Sequence, residues 1–243
     1  MHLLDRLLQP SVTIRFSFLF VALILMLAVP VFLPPGLVSI SWPTLFTLLA
    51  LAALATVARE RRTLMIGIAL AAPSILLSWI QLIIGPAEPL IAGKIFGVLF
   101  LLYLAGTLLR HILRTTQVTT EALFAVASVY LLFALIWAMA YGITETLDPE
   151  AFSLPLGGEG PVWMSGVAGK SDGRLTYFSF VTLTTLGYRD IAPASDLARL
   201  LAMMEATLGQ LFLVIVVARL VGIHATQQRS WVGPRADVLP EST

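Results

Sequence analysis

The 243-residue chain is 58% hydrophobic and only 12% charged. Soluble domains carry about 25% charged residues, so a chain this apolar cannot cover a water-exposed surface, and we predict an integral membrane protein. The net charge of +1 gives no reason to expect a nucleic-acid partner, and the absence of cysteine excludes disulfides and thiolate metal sites. The three histidines show no metal-ligand spacing and are expected to be isolated residues at the membrane edges: His2, His111 and His224.

The first element is a short amphipathic stretch. Residues 1–11 place leucines on one helical face and charged residues on the other, which predicts an interfacial helix. Six apolar segments follow, each close to the ~20 residues that a spanning helix needs. They are Phe16–Leu33, Trp42–Ala58 (with a start nearer Val38), Leu64–Ile84, Leu90–Leu113, Ala122–Ile143 and Leu197–Ile223.

A seventh apolar segment, Leu175–Leu183, lies between the fifth and sixth spans and is too short to cross a bilayer. It has the length of a re-entrant helix, which enters the membrane and turns back. Irregular backbone at that depth is tolerated only where protein buries it or where it lines a watery cavity. The segment therefore indicates a pore or a substrate cavity.

Basic residues predict the orientation of the spans. Arginines precede the first span, join the second to the third and the fourth to the fifth, and follow the sixth, whereas residues 34–41 and 85–89 contain no Lys or Arg. We therefore expect a multi-pass protein of the cell (inner or plasma) membrane with both termini cytoplasmic. The loop Thr144–Arg174 is then outside. It is acidic and then glycine-rich, and is either simply solvated or a weak cation-attracting vestibule.

The fourth span is not expected to sense voltage. A voltage-sensing helix carries several charges through the membrane, whereas this span has Lys94 near its outer end, Arg110 and Arg114 near its inner end, and no charge between them. Residues 12–115 are thus predicted to form a four-helix domain without a clear sensor.

The stretch Thr182–Asp190 reads TLTTLGYRD and follows the re-entrant segment directly. It resembles the selectivity filter of potassium channels, whose usual form is TVGYGD after a threonine. Around it, residues 177–209 resemble the two-helix pore module of that family, in its six-helix bacterial arrangement. The positions that carry the resemblance are Thr184, Thr185, Leu186, Gly187, Tyr188 and Asp190 in the filter, and Tyr177, Phe178, Pro193, Arg199 and Gly209 around it.

The resemblance implies an all-α homotetramer with a pore module over residues 118–225 and a short cytoplasmic tail over 226–243. K⁺ would be held by the backbone carbonyls of Thr185, Leu186, Gly187 and Tyr188, with the Thr185 hydroxyl forming the innermost ring. Tyr188 would brace the filter against the aromatic pair Tyr177 and Phe178, and Gly209 would be a gating hinge. The implied partners are the bilayer and other copies of the chain. No cofactor, small-molecule substrate or enzymatic activity is expected.

Arg189 departs from the family, which has glycine at this position. A left-handed backbone at arginine costs about 1–2 kcal/mol, and four such cations would repel K⁺ unless each is neutralised, with Asp190 as the expected partner. Two interpretations stay open: a paired Arg189 in a potassium-selective pore, or a weakly selective or closed pore in a channel-like scaffold or regulatory subunit. An ion-coupled transporter would be expected to have broken helices in two related halves, and only one re-entrant segment is present.

Glu205 lies two turns into the last span, where a carboxylate is costly and rarely faces lipid. We expect it to accept a hydrogen bond from the Thr182 or Thr184 hydroxyl and so to support the filter. The alternative is a glutamate that lines a wet inner cavity.

Overall fold

The computed structural model describes residues 15–57, 61–84, 91–115, 117–153 and 172–231. The predicted interfacial helix over residues 1–11 and most of the loop before α6 lie outside these ranges. The described elements are α1 (Arg15–Phe32), α2 (Pro35–Val57), α3 (Arg61–Ile84), α4 (Ile91–Arg114), α5 (Thr120–Leu147), β1 (Phe152–Ser153), α6 (Asp172–Leu183), β2 (Ala192–Pro193) and α7 (Asp196–Trp231).

Five of these helices, α2, α3, α4, α5 and α7, are long and apolar enough to cross a membrane. The apolar part of α1 is shorter, at Phe16–Pro30. With 12 residues, α6 is also too short to cross, as the sequence predicts. Almost all of the described residues are helical, and the long apolar helices make the chain a membrane protein, so this part of the predicted fold class is confirmed.

Helix ends differ from the predicted ones for local reasons. α2 begins at Pro35 and continues through Pro43. A proline is tolerated at a helix start because its missing N–H would have no partner there. α5 continues to Leu147, four residues beyond the predicted end, and Asp148 closes it with an N–H bond of 2.8 Å to the Thr144 carbonyl. α7 runs without interruption to Trp231.

Helices α1 to α4 pack in chain order, and α5 packs against both α1 and α4. Two buried glycines let α4 approach its neighbours closely. The Ser74 hydroxyl of α3 donates to the Gly93 carbonyl at 3.1 Å. A Cβ at Gly97 would lie 2.9 Å from the Ser74 hydroxyl oxygen. A larger residue at either position would separate α3 from α4.

The remaining elements hold α6 between α5 and α7. β1 and β2 pair antiparallel, with Phe152 opposite Pro193, so the chain after α6 returns to the end of α5. An ion pair between Arg174 and Glu145 joins the start of α6 to the end of α5. Both ends of the segment that contains the site are thus attached to α5.

A single arginine joins α7 to the α4–α5 connection. One amino group of Arg219 donates to the carbonyls of Leu113 at 2.5 Å and Thr115 at 3.1 Å. The last carbonyls of a helix have no partner within it and carry partial negative charge, so a cation is favourable there. The position of α7 is therefore linked to that of α4.

We expect Arg219→Gln to lower the free energy of unfolding of the detergent-solubilised protein by about 1–3 kcal/mol, because it removes hydrogen bonds from a charged donor. A thermal melt measures this loss. Arg199→Gln is the matched control. Arg199 is on the same helix, its side chain is 59% exposed and its ion partner is Asp196 of the same helix, so we expect a change within about 0.5 kcal/mol. Equal losses in both variants would contradict the role assigned to Arg219.

Candidate functional site

The site begins where α6 ends. The Leu186 N–H donates to the Val181 carbonyl at 2.9 Å, and the Thr185 N–H donates to the Thr182 carbonyl at 3.0 Å. Thr185 has φ of +58°. This pair of bonds around a left-handed residue is a Schellman helix end. It satisfies two late carbonyls of α6 and turns the chain out of the helix at the first predicted ion-binding residue.

The backbone beyond this turn alternates in the sign of φ. Thr185, Gly187 and Arg189 have φ of +58°, +63° and +64°, whereas Leu186 and Tyr188 between them are not left-handed. A regular strand points successive carbonyls to opposite sides, and the alternation of φ lets them face one side instead. Within the described ranges, no donor bonds the carbonyls of Gly187 or Tyr188. These oxygens are available to a ligand.

Arg189 adopts the left-handed backbone that glycine would adopt at no cost. The expected ion pair with Asp190 is not formed. The Asp190 carboxylate instead accepts the Ile191 N–H at 3.1 Å and the Tyr177 hydroxyl. Among the residues that the structure describes, no carboxylate pairs with Arg189, whose side chain is exposed.

Tyr177 connects α6 to Asp190, the last residue of the predicted filter stretch. Its hydroxyl donates a hydrogen bond to the Asp190 carboxylate. A tyrosine hydroxyl has an ordinary pKa of about 10, so it remains protonated and a donor throughout the physiological pH range. The sequence predicts that Tyr177 and Phe178 form an aromatic pair behind the filter, whereas the structure gives the Tyr177 hydroxyl a polar contact with Asp190.

Phe178, the other member of the aromatic pair, is buried against α5. Its ring lies 5.1 Å from that of Tyr141 and 5.4 Å from that of Phe152, both edge-on, an arrangement that aromatic quadrupoles favour. Tyr188 is 65% exposed, and its ring pairs with no aromatic ring of the described residues. The predicted bracing by Tyr188 is therefore absent within one chain.

Glu205 is completely buried, so the alternative of a glutamate in a wet cavity is wrong for this chain. Its carboxyl group contacts the Tyr141 hydroxyl at 2.5 Å and the Ser179 hydroxyl. The predicted partners were Thr182 and Thr184. The expected hydrogen bond to the short helix α6 is present, but the two candidate partners are wrong. α6 presents Ser179, about one turn earlier, to α7, while the Thr184 hydroxyl bonds the Phe180 carbonyl at 2.6 Å.

Gly209 is the point where α7 approaches the end of α6 most closely. A Cβ there would lie 2.5 Å from Leu183 Cδ1 and 3.2 Å from the Leu183 carbonyl oxygen. That oxygen also accepts a hydrogen bond of 3.3 Å from the Tyr130 hydroxyl. α7 is continuous through Gly209. The glycine is therefore required for close packing, whether or not it also serves as a hinge.

Three supporting residues were not found from the sequence: Tyr130, Tyr141 and Ser179. Each is a hydroxyl-bearing residue within a segment that was predicted to enter the membrane. In a membrane such hydroxyls are expected to hydrogen-bond across helices, so their presence was a usable signal. The presence of such a hydroxyl does not show which helix supplies its hydrogen-bond partner.

The comparison with known families agrees with this geometry. Residues 125–224 match the family model described as an ion channel. The matched range includes most of α5, all of α6 and the site, and most of α7. It supports an ion-channel pore module in this part of the chain. No curated protein and no solved structure matches the chain.

Proposed function

We propose that the chain forms a homotetrameric channel for passive, potassium-selective diffusion, with residues 184–190 as its filter. The alternating backbone of Thr185–Arg189 carries the proposal, because it leaves the Gly187 and Tyr188 carbonyls unbonded at the end of a re-entrant helix. Carbonyls of this kind replace the hydration shell of K⁺ in channel filters. The carbonyls of Thr185 and Leu186 and the Thr185 hydroxyl would complete the column of oxygens.

A single chain cannot surround an ion, and its surface supports assembly. Residues 184–189 are all exposed, with Leu186 at 58% and Tyr188 at 65%. Along α7 one narrow stripe is buried, while large apolar side chains on the other faces are exposed, among them Leu200, Met203, Leu208, Leu211 and Val214. Four copies around the filter axis would cover part of this surface and provide each oxygen four times.

In the proposed channel, α1 crosses the membrane as a sixth spanning helix. Its 18 residues rise by about 27 Å, which is the hydrocarbon thickness of a thin bilayer. With six spans both termini would lie on the same side of the membrane, and the distribution of arginines favours the cytoplasmic side. The loop between α5 and α6 then lies outside, and the filter opens towards it.

Flux from purified protein in liposomes tests the proposal. With equal outward gradients of K⁺, Na⁺ or Cl⁻, we expect K⁺ efflux well above that of protein-free liposomes, a smaller Na⁺ efflux and no Cl⁻ efflux. Chemical cross-linking of the same sample should give a ladder that ends at four copies. Chloride flux equal to that of K⁺, or a ladder that ends at two, would contradict the proposal.

We expect Gly187→Ala to lower the ratio of K⁺ to Na⁺ flux several-fold. A Cβ at a left-handed residue costs about 1–2 kcal/mol, and relaxation of this strain would turn the adjoining carbonyls. Gly106→Ala is the control, because a Cβ at Gly106 on α4 meets nothing within 4 Å. It should leave the ratio unchanged, and an equal effect of both substitutions would argue against a carbonyl filter at Gly187.

Arg189 favours a second candidate, a channel-like subunit that does not conduct. No described carboxylate neutralises its charge, and four copies would surround the mouth of the pore. In that case wild-type protein gives no flux above that of protein-free liposomes, and Arg189→Gly restores it. Flux from the wild type excludes this candidate.

A further inference from the structure

Three buried polar side chains meet between α5, α6 and α7. Tyr141, Ser179 and Glu205 are each 0% exposed. The Tyr141 hydroxyl lies 2.5 Å from Glu205 Oε2, the Ser179 hydroxyl contacts Glu205 Oε1, and the Ser179 hydroxyl also lies 2.7 Å from the Ala134 carbonyl oxygen. The three helices are thus joined by three oxygen–oxygen contacts, all within hydrogen-bond range.

These contacts need more protons than the hydroxyls supply. A tyrosine and a serine hydroxyl each donate one proton, while a backbone carbonyl and an ionised carboxylate donate none. Two protons cannot serve three contacts. In the contact that lacks a proton, the lone pairs of two oxygens would repel each other in a buried site, where an unmade hydrogen bond is costly. The missing proton must come from the carboxyl group.

We infer that Glu205 is a neutral carboxylic acid in the folded protein and acts as a positioning residue for α6. Its O–H donates to Ser179, the Ser179 hydroxyl donates to the Ala134 carbonyl, and the Tyr141 hydroxyl donates to the second carboxyl oxygen. Every oxygen in the cluster is then satisfied. The proton of Glu205 is the one that allows Ser179 to bond α5 and α7 at the same time.

The surroundings agree with a neutral group. Within the described ranges no Lys or Arg pairs with Glu205, and the titratable groups that face it are Tyr141 and Tyr130, both on α5. Ser179 is its neighbour on α6. A buried carboxylate without a cation is among the costliest groups in a protein interior and is normally neutralised by a proton.

The contacts between α6 and α7 connect the Glu205 hydrogen bonds to conduction. Glu205 meets Ser179, and four residues later on both helices Gly209 meets Leu183. One turn of each helix separates the two contacts, so together they fix both the depth and the rotation of α6 against α7. α6 sets the direction in which the filter backbone leaves the helix. This part of the inference rests on the proposed channel function.

Two substitutions separate the neutral acid from an ionised one. Glu205→Gln keeps an acceptor for Tyr141 and a donor for Ser179, so it reproduces the inferred network. We expect it to keep K⁺ flux within about twofold of wild type. Glu205→Ala leaves the Tyr141 hydroxyl without its acceptor and removes the donor to Ser179, so it should lower flux about tenfold or more. Equal losses in Glu205→Gln and Glu205→Ala would overturn the positioning role of the neutral acid.

An infrared difference spectrum tests the protonation state without relying on conduction. The spectrum of wild type minus Glu205→Gln should contain the carbonyl stretch of a protonated carboxylic acid at neutral pH, and Tyr141→Phe should shift that band by removing a hydrogen bond. A difference spectrum that shows ionised carboxylate bands instead would overturn the inference. If the band is present but wild-type protein carries no ions, the proposed function fails while the assignment of the proton stands.

Discussion

Replacing Gly209 with alanine is expected to abolish most of the K⁺ flux without destabilising α7 itself. The added methyl group would lie 2.5 Å from Leu183 Cδ1 and 3.2 Å from the Leu183 carbonyl oxygen, and Leu183 is completely buried. Overpacking of this kind costs about 1–3 kcal/mol, which outweighs the gain of about 1 kcal/mol in helix propensity. Leu183 is the last residue of α6, so its displacement moves the start of the filter.

A second substitution distinguishes packing from hinge bending. Leu183→Ala removes the Cδ1 atom, which is the closest to the new methyl group, and leaves only the Leu183 carbonyl oxygen at 3.2 Å. The double variant should therefore conduct better than Gly209→Ala alone, even though Leu183→Ala has its own cavity cost of about 2–5 kcal/mol. Such coupling is what a double-mutant cycle measures. If Gly209 is needed only as a hinge, Leu183→Ala will not rescue the alanine variant.

Gly222→Ala is the matched control for Gly209→Ala. Gly222 lies on the same helix, and a Cβ there meets nothing within 4 Å. The K⁺ flux of Gly222→Ala should be close to that of wild type, and its free energy of unfolding should be unchanged or raised by about 1 kcal/mol. A loss of flux equal to that of Gly209→Ala would show that bending along α7, and not the contact with Leu183, limits conduction.

The helical framework could be predicted from the sequence because it depends on local properties. A run of about 20 apolar residues has few alternatives to a spanning helix, and α3 and α4 lie within a few residues of their predicted bounds. The short helix α6 was likewise visible as an apolar run too short to cross a membrane. α1 is the marginal case, since its apolar part at Phe16–Pro30 is shorter than those of the other predicted spans.

The contacts around the site could not be predicted in the same way, because they depend on the rotation of helices that are far apart in the sequence. Glu205 and Tyr141 are separated by 64 positions, and a rotation of α6 by one residue would have presented Phe178 or Phe180 in place of the Ser179 hydroxyl. Asp190 illustrates the same limit. Its sequence neighbour Arg189 was the obvious partner, but Tyr177 on α6 takes the hydrogen bond.

Replacing Arg189 with glycine is expected to raise single-channel conductance about tenfold at low salt and very little at high salt. A unit charge roughly 10 Å from a cation in water contributes about 0.4 kcal/mol, so four together lower the local K⁺ concentration about tenfold. The Debye length falls from about 30 Å at 0.01 M to about 3 Å at 1 M. Conductance measured across this range of KCl should therefore converge for the two proteins.

Two further variants separate the charge of Arg189 from its backbone. Arg189→Gln removes the charge but keeps a side chain at a residue with φ of +64°, and Arg189→Lys keeps the charge. If charge is responsible, the glutamine variant should behave like glycine and the lysine variant like wild type. If backbone strain is responsible, only Arg189→Gly will differ from wild type, and by the same factor at every salt concentration.

The salt dependence also determines where the guanidinium lies. Because screening acts only on charges that the solvent reaches, a difference between Arg189→Gly and wild type that disappears at 1 M KCl places the four cations at the open mouth of the pore. Equal conductance of all four proteins at every concentration would contradict the prediction, since the charge of Arg189 would then be directed away from the ion path. Such a result would make the left-handed backbone, which Arg189 shares with Thr185 and Gly187, the property that this position contributes to the filter.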